Sequence, residues 1–176
     1  MKHKVVLMTL VTILAVINFS IFTKEEHLKQ GESIYLELAP VDPRSLMQGD
    51  YMALRYVLAN ALYDALPKHA DDNNWRKAVT PHNGKVIVTL NDNKVASYQG
   101  IYEGQGLKEN ERTLNYRVRN NQVKIASNAF FFEEGTAEAY EASRYGEFRV
   151  NSQGELLLNA MFDEDLKPIN LATSTQ

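Results

Sequence analysis

The chain has 176 residues, 19 Lys+Arg, 22 Asp+Glu and a net charge of −3. That length fits one ordinary domain, and the charge lacks the basic footprint of a nucleic-acid binder. The absence of Cys excludes a disulfide framework, a thiolate zinc site, an iron–sulfur cluster and a cysteine nucleophile.

Residues 5–22 form a run without a charge, in which Thr9, Thr12, Asn18 and Ser20 are the polar members. As a helix the run spans roughly 27 Å, close to the hydrocarbon thickness of a bilayer. Its apolar core is longer than the roughly 7–15 residues of a signal peptide, which also needs small residues at its exit. Here the exit reads Asn18-Phe19-Ser20-Ile21-Phe22, with bulky groups where small ones are needed. The expectation is an uncleaved signal-anchor at residues 5–22 behind a cytoplasmic tip at residues 1–4. Lys2 and Lys4 favour a cytoplasmic N-terminus, although Lys24 and Lys29 lie equally near the other end. A globular stretch after a lone anchor then places the domain on the periplasmic side of a bacterial inner membrane.

Residues 23–32 are polar and read as a linker, followed by a domain at 33–168 and a disordered tail at 169–176. Ile34, Leu36 and Leu38 alternate with Tyr35, Glu37 and Ala39, the period of a half-buried strand. Pro40 and Pro43 end it, and Gln48-Gly49-Asp50 signals a turn. Residues 51–57 read as a strand that puts Met52, Leu54 and Tyr56 on one face, followed by a helix that Pro67 stops. Residues 67–83 are polar and read as a surface loop. Three hairpins follow, at 85–90 with 95–102, 112–119 with 122–127, and 144–150 with 155–161. A short helix is expected over 136–143. The fold class is mainly β, an antiparallel sandwich or open barrel with one or two short helices.

Chemistry-bearing patterns are sparse. His3, His27, His69 and His82 have no ligand spacing, and Asp71-Asp72 and Asp163-Glu164-Asp165 lack the glycine punctuation of a calcium loop. Gly100, Gly104 and Gly106 do not make a phosphate-binding loop, and no nucleophile elbow occurs. No catalytic residue, metal or cofactor is expected. The densest segment is 40–56, where Asp42, Arg44, Asp50 and Tyr51 could present a polar recognition edge.

At Gly49-Asp50-Tyr51-Met52-Ala53-Leu54-Arg55-Tyr56 the chain resembles the GDYXXLXY family of bacterial membrane-anchored proteins. Residues 42–46, 128–135 and 144–150 are similar to further family blocks. The resemblance implies an N-terminal membrane segment, an exported domain and a partner among polytopic inner-membrane or periplasmic proteins, with no catalytic residue assigned. The motif residues are Gly49, Asp50, Tyr51, Leu54 and Tyr56, to which Arg144, Tyr145 and Glu147 are added from the last block. Arg144 or Arg44 either holds the motif loop through Asp50 or Asp42, or these are independent surface charges worth under about 1 kcal/mol per pair. The rival reading is a membrane-anchored hydrolase resembling signal peptidase, because Ser45 precedes Gly49-Asp50. The nucleophile's place in that block is Val41, and no activating lysine stands in context.

Overall fold

A computed structural model describes residues 2–39, 51–71 and 74–169. Helix α1 (Lys2–Gln30) opens the chain. It is long and apolar enough to cross a membrane, with a mean hydropathy of 2.5 and none of its apolar window buried against the domain. Three of the four polar members of its apolar run bond back onto the helix. Thr9, Thr12 and Asn18 each donate to the carbonyl four residues earlier, at 3.0, 2.9 and 2.8 Å, which hides those groups along the helix.

The stretch expected as a linker continues this helix to Gln30. Its residues are good helix formers, and i,i+4 contacts support it: Lys29 pairs with Glu25 and Gln30 donates to Glu26. The helix stops at Gly31, whose N–H donates to the carbonyl of His27 at 2.8 Å. A Cβ at Gly31 would lie 2.6 Å from that carbonyl oxygen and 3.0 Å from Cβ of Arg149.

The rest is mainly β and antiparallel. Strands β1 (Glu32–Glu37), β10 (Tyr145–Val150) and β11 (Leu156–Phe162) form one sheet in the order β1-β10-β11. A second sheet runs β6-β5-β7-β8, from β5 (Asn83–Leu90), β6 (Ala96–Ile101), β7 (Glu111–Arg119) and β8 (Gln122–Lys124). A parallel bridge, Tyr35 to Val95, joins β1 to the start of β6. On the other side the N–H of Asn115 donates to the carbonyl of Gly154 at 2.8 Å, and Arg112 forks onto Glu32 at 2.6 and 3.1 Å. The sheets therefore curl into a half-barrel around one core. Ile34, Leu36, Val86, Val88, Leu114, Val118 and Phe148 are fully buried in it.

Between β1 and β5 the chain forms β2 (Tyr51–Ala53), which pairs with β9 (Ala129–Phe131), and helix α2 (Val57–Ala65). Helix α2 closes the barrel against β1, β6 and β8, burying Leu58 and Leu62. Part of the expected loop at 67–83 is a hairpin, β3 (His69–Asp71) with β4 (Asn74–Ala78). Its polar sequence has no apolar alternation, so nothing in the pattern announced the pairing. The helix expected over 136–143 shrinks to one 3-10 turn, Ala137–Tyr140, with Gly135 at φ +82° before it.

Three turns share one design. Asn91, Asn151 and Asp163 each accept N–H donors from the residues two and four places on. In each, the residue three places on is left-handed: Lys94 at φ 59°, Gly154 at 82° and Leu166 at 58°. Glycine stands only where the turn touches β7, since a Cβ on Gly154 would lie 2.6 Å from the carbonyl oxygen of Thr113. The acidic cluster at 163–165 is thus one of these turns, with the Asp163 carboxylate committed to the backbone. Because Lys94 is exposed and carries a left-handed backbone that costs a side chain roughly 1–2 kcal/mol, Lys94→Gly should stabilise the protein by about 0.5–1 kcal/mol. Urea unfolding in detergent micelles measures this, and no gain would contradict the turn assignment.

Candidate functional site

Asp42, Arg44, Ser45, Gly49 and Asp50 lie outside the described residues, and so does any pairing of Arg44 or Arg144 with that loop. The described half of the motif, residues 51–56, occupies the centre of the fold. Met52, Leu54 and Tyr56 are buried as their alternation requires, and Arg55 is exposed. Tyr51 stands opposite Phe131 in the β2–β9 register, with ring centroids 5.8 Å apart. The N–H of Leu54 donates to the carbonyl of Asn128 at 2.8 Å.

Tyr56 makes the most of its position. Its hydroxyl donates to the carbonyl of Ser127 at 2.6 Å, and its ring meets Phe148 edge-on with centroids 5.7 Å apart. Its backbone bridges to Leu38. Burial pushes its phenol well above the ordinary tyrosine range, so the hydroxyl remains a neutral donor. Residues 51–56, 127–131 and 145–150, far apart in sequence, are thereby tied together at one phenol ring.

The residues added from the last block divide. Arg144 is exposed, and its backbone bonds Leu38 and Phe162, each at 2.8 Å. Tyr145 is half-buried at the start of β10. Glu147 is buried on the face of β10 away from Phe148. Asn159 donates to it at 2.8 Å, the Ser33 hydroxyl donates to its other oxygen, and Arg149 lies 3.6 Å away. Arg149 in turn donates to the carbonyl of Gly31 at 3.4 Å, and its own carbonyl bonds Nε2 of His27 at 2.9 Å. Glu147 therefore belongs to a neck that fixes the end of α1 on the domain. His27, Ser33 and Asn159 were not singled out from the sequence. A single buried His in a polar stretch gives no periodic signal.

The concave feature beside the motif is a groove of about 420 Å³ between residues 53–56, α2 and β8, with Arg55, Asn60, Tyr63, Asn121, Lys124 and Asn128 in its walls. Next to it the β2–β9 ribbon carries Phe131, 74% exposed. Cationic, amide and aromatic groups line this surface. Among the described residues no three His, Asp or Glu side chains converge as a metal site.

A family model described as GDYXXLXY protein matches residues 13–161. The chain belongs to the GDYXXLXY family. No curated protein and no solved structure matches it significantly. Within this GDYXXLXY protein the motif's Leu54 and Tyr56 are buried in the core, and the whole stretch Ala53 to Tyr56 borders the groove, with Arg55 its exposed member.

Two substitutions separate these contributions. Tyr56→Phe keeps the ring on Phe148 but leaves the Ser127 carbonyl unpaired, and should cost about 1–2 kcal/mol. Leu54→Ala empties core volume and should cost about 2–5 kcal/mol. Urea unfolding of the full chain in micelles orders the two, and a Tyr56→Phe protein as stable as the parent would contradict the hydrogen-bond assignment.

Proposed function

We propose that the protein is a membrane-anchored accessory protein. In this reading α1 lies in the inner membrane and the β domain stands in the periplasm, where it binds a polytopic membrane or periplasmic protein. The observation that carries the reading is the surface beside the motif: Arg55 and Tyr63 in a groove next to exposed Phe131. Arginine and aromatic side chains at a concave edge are the residue types that dominate protein–protein contacts, and Phe131 extends that edge with an exposed aromatic ring. Asp42, Arg44, Gly49 and Asp50 lead into this ribbon and are assigned to the same recognition edge. The hydrolase reading, which would use Ser45 or the carboxylates of Asp42 and Asp50, has no observation in its favour.

Affinity capture from mildly solubilised membranes tests the proposal. A distinct membrane protein should co-purify with the parent chain, and Arg55→Glu combined with Phe131→Ser should lower its recovery roughly tenfold or more. Both side chains are exposed, so the variant should unfold at the parent's urea midpoint. Equal recovery with both chains would reject this surface, and recovery of the protein alone would reject the accessory role.

A further inference from the structure

We propose that a second groove, at the foot of the domain, binds the headgroup of an anionic phospholipid. The inference rests on α1 spanning a bilayer, and it adds a ligand that the accessory reading does not require. The groove measures about 520 Å³ and lies between the end of α1, β5, β7, β8 and the start of β11. Lys24, Arg117 and Lys124 stand in its walls with a single carboxylate, Glu155, and the start of β11 at Leu156 and Leu157 borders it.

Its depth follows from helix geometry. The apolar run ends at Phe22, and α1 continues without a break through Lys24. At about 1.5 Å per residue, Lys24 lies roughly 3 Å beyond the hydrocarbon, inside a headgroup layer roughly 5–7 Å thick. Glu155 reaches Lys24 at 3.9 Å, which brings the wall of the groove down to the same level. Lys85 is drawn to this corner too, donating to the carbonyl of Gln153 at 3.0 Å.

The charge pattern supplies an independent reason. Arg117 and Lys124 are direct partners in the β7–β8 register, and like charges placed opposite each other destabilise a sheet. Among the described residues neither is ion-paired. In a chain of net charge −3 this cationic pair makes the groove locally positive, which suits an anion between the two side chains. A lipid phosphate at headgroup depth supplies that anion, with its glycerol end toward the start of β11.

Native mass spectrometry of the full chain, released from nanodiscs of phosphatidylcholine alone or mixed with phosphatidylglycerol, tests the assignment. The parent should retain phosphatidylglycerol in preference to phosphatidylcholine. Arg117→Gln combined with Lys124→Gln should weaken that retention roughly 10- to 30-fold, each basic residue near an anionic surface being worth about fivefold. Lys94→Gln with Lys167→Gln removes the same charge from turns remote from the groove and should leave retention unchanged. Equal retention of both lipids, or an equal loss in the remote variant, would overturn the proposal. Failure of α1 to insert would show separately, as protein absent from nanodiscs of either composition.

Discussion

The structure depends on one buried phenol. Tyr56 closes the motif strand by donating to the Ser127 carbonyl while its ring packs edge-on against Phe148. Loss of any of the three segments it touches would leave either an unpaired carbonyl or an empty volume beside a fully buried Phe148. Around that point the two sheets bend toward each other and α2 closes the opening. The family signature is accordingly, in its described half, a statement about folding. Its Leu54 and Tyr56 point inward, while Tyr51 lies half-buried against Phe131 on the opposite face of the ribbon.

The same logic extends to the membrane side. The polar end of α1 is helical rather than loose, and it rests on β10 through His27, Gly31 and Arg149, with Glu147 held by Ser33 and Asn159. A flexible tether would let the domain wander from the bilayer. A helix docked on the sheet fixes the direction in which the domain leaves α1.

Much of the fold was legible in the sequence because its cues were local. Alternation at Ile34, Leu36 and Leu38 and at Met52, Leu54 and Tyr56 announced the buried faces, and Asn120-Asn121, at φ 52° and 58°, marked the β7–β8 turn. The apolar run of α1 and the motif itself were equally plain. The β3–β4 hairpin was not legible, since strands without apolar alternation leave no period to read. The neck escaped for a different reason: Glu147 and His27 are 120 positions apart in sequence, and their association arises from how β10 passes beneath α1. Both grooves likewise arise from packing between distant segments, α2 against β8 and α1 against β10 and β11, which no stretch of sequence encodes alone.

The central claim is that the motif tyrosine joins distant segments through direct contact with Phe148. A double-mutant cycle tests it most directly, using Tyr56→Leu, Phe148→Leu and their combination in the full chain, with unfolding free energies from urea titration in micelles. The account predicts a coupling of about 0.5–1.5 kcal/mol, the range for an edge-to-face aromatic pair. Single effects that add within about 0.3 kcal/mol would contradict it.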